Sequence, residues 1–387
     1  MKKLILVALS ITALLTIFPN EQLHAQCFED SSGNLVDPSG QPCVNTIVTA
    51  VPFLRIVADA RSGAMGDVGI AISADPNALQ HNAAKLAFVD TKVAVSATYT
   101  PWLRALGLSD VYLADITAYN QLDDLQTIGF GLKYFSLGQI NFTDENGQPI
   151  GNGNPNEFEI AAAYARKLND NFSSSLTMKF IYSNLAAGQN VNGEDIKAAT
   201  ALAADLGFLY TMDSGSDNEF RVGLALTNIG SKVSYTESIN KDFLPTNFGL
   251  GFAYELNPNE SNQLTFAFDV NKLMVPTPDP NDASYRDKSA IAGIFSSFGD
   301  APGGFSEEIR ELMYSVGVEY WYDQQFAVRA GYYTEHATKG NRKYFTAGLG
   351  IKYNVFGLNF SYLVPTSNQR NPLDNTLRFS LMFDFDS

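Results

Sequence analysis

From Lys92 to its end the chain alternates apolar residues with polar or small ones, with little interruption. In NFGLGFAYEL, Phe248, Leu250, Phe252, Tyr254 and Leu256 fall on one side of an extended backbone, and Gly249, Gly251, Ala253 and Glu255 on the other. The same period sets Leu264, Phe266, Phe268 and Val270 against Thr265, Ala267, Asp269 and Asn271. In YFTAGLGIKYN it sets Phe345, Ala347, Leu349, Ile351 and Tyr353 against Gly348, Gly350 and Lys352. A period of two predicts strands at 93–99, 111–119, 127–137, 157–167, 172–184, 197–211, 219–229, 246–256, 262–273, 312–322, 326–335, 343–353, 356–364 and 376–385. These are fourteen segments, an even number. Most approach the roughly 9 to 11 residues with which a barrel strand crosses a membrane.

The connections separate a membrane barrel from a soluble sandwich. Those after strands 2, 4, 6, 8, 10 and 12 are mostly short (QLDDLQ, LNDN, NPNESN, DQQ), whereas those after odd strands are mostly longer, LGQINFTDENGQPIGNGNP among them. Short periplasmic turns and long outer loops form the outer-membrane pattern, which puts both termini in the periplasm. Aromatic residues near strand ends (Tyr99, Tyr134, Tyr254, Tyr320, Trp321, Tyr322, Tyr353) suit the interfacial girdle of such a barrel. The last strand, LRFSLMFDFDS, has one aromatic face, like the signal that barrel-assembly machinery reads. The expected fold is therefore all-β: a 14-stranded antiparallel transmembrane β-barrel over residues 92–387.

If the greasy side faces lipid, the lumen carries Lys133, Lys179, Asp205, Arg221, Glu255, Asp269, Glu319, Arg329, Lys352, Arg378 and Asp384 among Gly and Ala. Charges of both signs demand water or partners. The small residues leave room for a plug, and residues 26–91 are the expected source of an N-terminal extension and hatch. Residues 1–25, with Lys2 and Lys3 before an apolar run from Leu4 to Phe18, read as a secretory signal peptide. Its removal takes two lysines and one glutamate, leaving 24 basic against 40 acidic residues. That net of −16 lacks the basic footprint of a nucleic-acid binder. The two cysteines, Cys27 and Cys43, fall in an oxidising compartment and are expected to form a disulfide. With only His81 and His336 left after the signal, neither a metal nor a cofactor is expected.

The stretch RSGAMGDVGIAISADPNALQHNAAKLA, 61–87, spaces Gly63, Gly66 and Gly69 like a phosphate loop. It has no surrounding strand–helix unit and no lysine directly after the glycines, so a nucleotide site is rejected. Preceded by VPFLRIVADA and followed by SATYTPWLRAL, it resembles instead the PorV branch of the fatty-acid-transporter-like barrels. The residues that carry this likeness are Val51 to Arg55, Asp59 to Arg61, Gly63 to Asp67, Asn82 to Lys85 and Tyr99 to Arg104, with Ala83 where the family usually has proline.

The resemblance implies a fourteen-stranded outer-membrane barrel whose hatch includes Arg61, Gly63, Met65, Gly66, Asp67, Gly69 and Asn82. It also implies a role in type IX protein secretion. The barrel would bind the C-terminal signal domain of secreted cargo, take the cargo from the translocon pore and deliver it to a cell-surface attachment complex with a sortase-like protease. The alternative reading is a channel or transporter for hydrophobic small molecules.

In the secretion reading the outer loops do the work. Trp102 and Leu103 in the first loop, and Ile291, Ile294, Phe295, Phe298 and Phe305 in the longest, are unusually apolar for such positions: they are candidate partner contacts, or they fold down to cap the barrel mouth, with Trp102 alternatively a girdle anchor. Ser306 is the expected N-cap of a short helix in SEEIREL. DENGQPIGNGN has oxygen ligands without the spacing of a calcium loop. Neither G-x-S-x-G nor H-E-x-x-H occurs, so no enzyme is expected; His336 beside Glu335 is the one formal hydrolytic pairing.

Overall fold

The computed structural model describes residues 28–29, 35–36 and 46–385, except 105–106, 144–146, 192–193, 216–217, 238–240, 279–282, 303 and 367–375. Residues 1–25, expected to be a signal peptide, and Cys27 and Cys43, expected to form a disulfide, lie outside the described residues.

Fourteen strands close into one antiparallel barrel, each bonded to its sequence neighbours. They are β1 Val93–Pro101, β2 Val111–Asp123, β3 Gln126–Leu137, β4 Asn156–Asn169, β5 Phe172–Asn184, β6 Ala199–Asp213 and β7 Glu219–Gly230. The second half comprises β8 Asn247–Asn259, β9 Asn262–Leu273, β10 Met313–Tyr322, β11 Phe326–Thr334, β12 Lys343–Tyr353, β13 Phe356–Pro365 and β14 Leu377–Phe385. β14 closes on β1 in a register that opposes Phe379 to Tyr99 and Phe385 to Val93. Closure leaves no open sheet edge, the one way for strands to satisfy their backbone in lipid.

The two-residue period decides which side of each strand is buried. Phe130, Met178, Leu202, Phe266 and Val316 point outward, and each is more than 40% exposed. Thr117, Lys133, Thr177, Asp269 and Glu319, on the other face, are buried inside. A wall of exposed aliphatic and aromatic side chains is stable only against hydrocarbon. Tyrosines mark both rims. Tyr99, Tyr112 and Tyr134 form a ladder at one end, with ring centroids 5.6 and 6.2 Å apart. Tyr320, Tyr322 and Tyr353 are exposed at the other. Trp321 departs from the girdle expected of it: its odd position on β10 turns it inward, where Arg329 stacks on its ring at 5.2 Å.

The turn side is tight. Asp124–Leu125, Asp170–Asn171 and Asn354–Val355 are two-residue links, and Asp323 and Gln324 take positive φ between β10 and β11. The long loops leave the opposite, outer end. The hairpin of Ile140–Thr143 with Pro149–Gly153 decorates one of them, while residues 144–146 of the rejected calcium loop lie outside the described residues. In the longest loop, helices Ala290–Ser296 (α3) and Phe305–Arg310 (α4) form. Gly304 at φ 68, not Ser306, is the N-cap of α4, because the chain needs a left-handed residue to reverse there.

The lumen is filled by residues 46–92. A 3-10 turn over Pro52–Arg55 leads to helices Ala60–Gly63 (α1) and Ala78–His81 (α2), then to a 3-10 stretch, Ala83–Phe88, that delivers the chain to β1. The backbone N–H of Ala50 donates to Phe243 O in the outer loop between β7 and β8 at 2.9 Å. Thr46–Arg55 therefore sits at the outer mouth and Phe88 at the turn end. The hatch thus runs the length of the lumen, and its exit into β1 is on the turn side.

Candidate functional site

The hatch contacts the barrel wall through buried charges. α1 begins at Asp59, whose carboxylate accepts the Ser62 N–H at 2.7 Å. The helix aims Arg61 at β10. There Nε and Nη2 donate to the two Glu319 oxygens at 2.9 and 2.7 Å. The remaining N–H groups of Arg61 reach Ser73 O, Ser73 Oγ and Asp75 at 3.1, 2.7 and 3.0 Å. All five guanidinium donors are thus used, and the bidentate carboxylate pair fixes orientation as well as charge. Glu319 also accepts from Arg329 of β11 at 2.6 Å, and Arg329 reaches Asn359 of β13 at 2.8 Å.

Further contacts run round the wall. Asp269 of β9 accepts the N–H groups of Gly69 and Ile70 at 2.8 and 3.1 Å. Arg378 of β14 donates to Val57 O and Gly63 O at 3.1 and 3.4 Å, and Tyr344 donates to Asp67. Asn82 donates to Ile70 O and Phe208 O at 3.1 and 3.0 Å while its Oδ1 caps Ala84 N–H, so it joins hatch, wall and 3-10 stretch. With Ala83 opening that stretch, the cap turn forms without proline.

Small residues make the fit possible. Gly66, at φ +69, crosses Gly331 of β11 so closely that a Cβ on Gly331 would lie 2.0 Å from Gly66 N. Met65 is fully buried beside Gly317, where an added Cβ would lie 2.7 Å from the Met65 Cβ. Leu79 and Leu86 occupy the space left by Gly129 and Gly131, and Ile70 that left by Gly223, Gly249 and Gly251. Gly69 faces the His81 ring, 2.2 Å from where its Cβ would be.

The hatch divides the lumen. On the outer side lies a cavity of about 130 Å³ lined by Arg55, Asp67, His81, Lys133, Asp269 and Arg342. On the periplasmic side lies one of about 600 Å³ lined by Asp75, Lys85, Arg221, Glu255, Arg329 and Asp384. Both linings include charged residues, and Arg61 with its partner Asp75 stands at the inner face of the periplasmic one.

The outer mouth is closed by packing. Trp102 meets Phe135 edge-on at 6.4 Å, and Phe53 stacks on the same ring at 6.4 Å. Leu54, Ile181, Val233 and Leu244 complete the cluster, against which Leu103 is half-buried at φ 53. At 9% exposure Trp102 belongs to this lid and presents no free contact surface. Ile291, Phe295, Phe298 and Phe305 are exposed and Ile294 is half-buried. The two groups are not brought together: Trp102 and Leu103 cap the mouth, while the other group stands on the long loop.

Glu335 is spent on Arg342, Tyr333 and Arg55. His336 Nδ1 contacts Thr338 at 3.0 Å, so the formal Glu335–His336 pairing does not form. Among the described residues no three His, Cys, Asp or Glu gather to hold a metal ion.

The hatch contacts are sensitive to acid. Burial alone would raise the Asp59 carboxyl, but the His81 ring at 2.9 Å and the Ser62 N–H outweigh it and hold it at about 2. Burial would likewise raise the Glu335 carboxyl, but Arg342 outweighs it and holds Glu335 at about 2. Both pKa values are depressed on folding, so the stabilisation is fully present above the ordinary carboxyl range and is lost as pH falls from about 4.5 through about 2. Each shift corresponds to roughly 2 to 3 kcal/mol. The melting midpoint of the detergent-solubilised protein is expected to fall between pH 5 and pH 3, estimated from the carboxyl range, and Asp59→Asn to flatten part of that fall. An unchanged midpoint across this range would refute the assignment.

A closed barrel with an apolar outer wall, tyrosine rims and a lumen plugged by its own N-terminal segment defines an outer-membrane β-barrel with an internal hatch. In fold the chain is similar to the toluene transporter TbuX of Ralstonia pickettii (TM-score 0.52, 11% identity, 86% of this chain and 99% of that one). It is similar also to the P. putida toluene transporter TodX (0.51, 12%, 86% and 99%) and to the monoaromatic hydrocarbon channel CymD (0.52, 11%, 85% and 98%). A comparison with curated proteins finds no match. Residues 40–280 match the sequence model of the type IX secretion system protein PorV, and the chain belongs to that family. It is an outer-membrane protein of type IX secretion.

Proposed function

We propose that this barrel is a shuttle for secreted cargo. It binds the C-terminal signal domain of cargo at its outer end, receives the cargo from the translocon pore and hands it to the attachment complex with its sortase-like protease. The observation that carries the reading is the closed lumen of a PorV-family chain: the Glu319 ion pair from β10, and hydrogen bonds of hatch backbone groups with Asp269 of β9 and Arg378 of β14, hold the hatch, and cavities with charged residues in their linings flank it on both sides. Such a molecule works from its outer face rather than as an open conduit.

The structural neighbours named as toluene transporters and hydrocarbon channels favour the second reading, a channel for small hydrophobic molecules. Charged residues such as Arg55, Lys133 and Asp269 weigh against it, because they interrupt the apolar part of the outer cavity's lining (Leu54, Ile56, Val57, Met313) and must be desolvated by an apolar solute.

Affinity purification from outer membranes tests the proposal. Co-purification of the translocon pore and of proteins with a C-terminal signal domain is expected. Recovery of bound acyl chains or aromatic hydrocarbon, with neither protein partner, would overturn it.

A further inference from the structure

The long loop 274–312 is clamped to the outside of the rim. Lys272 stands opposite Phe248 in the β8–β9 register, on the same outward face as Phe266, Phe268 and Val270. It is nevertheless buried, because α4 lays Glu308 (3.0 Å) and Glu311 on it. Glu307 and Glu311 also take Lys339 of the next loop at 2.6 and 2.9 Å. α3 is held by its Ser289 cap and by Gly293, which is pressed onto Phe243 and Pro276.

This fixes an apolar ridge on the other side of α3. Ile291, Phe295 and Phe298 follow at i, i+4 and i+7, with exposures of 66, 75 and 53%. Phe305 and Ile309 make a second i, i+4 pair on α4, 80 and 46% exposed. The Phe298 ring meets Phe248 edge-on at 6.4 Å. Phe248 is the uppermost residue of the outward column that runs down through Leu250, Phe252 and Tyr254, and its cross-strand neighbour Lys272 marks where that column ends. The ridge therefore continues the lipid-facing wall at the level where hydrocarbon gives way to headgroups.

We propose that the ridge is an interfacial foot whose occupant is the outer leaflet of the membrane, with Phe295 and Phe298 inserted at the headgroup boundary. Two features favour lipid over a protein partner. The seven residues of α3, AIAGIFS, carry no charge. The polar groups around it are used within the loop: Lys288 on Ser296 and Asp300, and Ser297 on Ile294 O. A protein interface has a polar rim that bonds its partner, whereas an interfacial helix needs only its apolar side. The inference moves Ile291, Phe295, Phe298 and Phe305 from partner contacts to lipid contacts, and it does not rest on the secretion reading.

Tryptophan depth quenching tests it. The native tryptophans give a shielded background, since Trp102 is buried and Trp321 faces the lumen. Phe295→Trp and Phe298→Trp, reconstituted in bilayers of brominated phosphatidylcholine, are expected to lose much of the added emission. Quenching should be stronger with bromine near the headgroup than near the chain end. Phe266→Trp, on the wall, is the lipid-exposed reference. Added emission that no brominated lipid quenches, in variants that keep the heat-modifiable migration of a folded barrel, would overturn the inference. So would emission that shifts only when cargo protein is added.

Discussion

Glu319→Ala is expected to unseat the hatch and to cost about 3 to 5 kcal/mol, the usual loss when one member of a buried ion cluster is removed. Glu319 is 1% exposed and accepts from both Arg61 and Arg329, so its removal leaves two guanidiniums in the lumen without their carboxylate. Arg61 keeps Asp75, which belongs to the hatch itself, so the link that breaks is the one between hatch and wall. Two readouts separate this from general damage. The melting midpoint should drop, and planar bilayers should show ion conductance that the wild type lacks, because the charged cavities on either side would join. Glu319→Gln keeps the shape and one acceptor, and should fall between the two. Wild-type conductance and melting in Glu319→Ala would show that the pin is unimportant.

Gly331→Ala should be the most costly single methyl in the barrel. Its Cβ would meet backbone atoms of Met65 and Gly66 at 2.0 Å, and backbone cannot swing away as a side chain can. Overpacking of this kind costs about 3 kcal/mol, more where the main chain must shift. The strand itself tolerates alanine, so the barrel should still assemble and migrate as a folded species. Limited proteolysis should then cut within 60–90, where the wild type resists. A fully protected hatch in Gly331→Ala would mean that the crossing of β11 by the hatch is looser than this geometry.

Much of this architecture was legible in the sequence because a barrel strand has one period and two unlike solvents. All fourteen expected segments fall on observed strands. Strands β2 and β4 simply extend past the predicted ends, into residues such as Gln121 and Leu168 that no longer alternate but still pair or flank the turn. The inward charges were legible too, since Glu319 and Arg329 fall at mid-strand among the small residues of the inward face, where they need partners. Their partners were not, because Asp59, Arg61, Asp75 and His81 lie in a segment with no period, and its path inside the lumen is set by shape alone. For the same reason the alternation that orients strands says nothing of Thr46–Arg55, which goes to the outer mouth. Trp102 illustrates a third limit: exposure in a loop is decided by what folds over it, here Phe53 and Phe135. The burial of the outward Lys272 beneath α4 has the same origin.

The central claim is that the barrel serves secretion from its outer face while the hatch stays shut. The most direct measurement locks the hatch. Met65→Cys with Gly317→Cys places two Cβ atoms 2.7 Å apart across the hatch–wall contact, against the roughly 3.8 Å of a disulfide. Because the new Cβ also lies 2.5 Å from Met65 O, Gly317→Cys alone is the control for that crowding. Cargo display on the cell surface is then followed with the bond formed and after its reduction. Equal display in both states is the result this account predicts. Display that stops when the bond forms and resumes on reduction would contradict it, and would mean that the lumen itself must open.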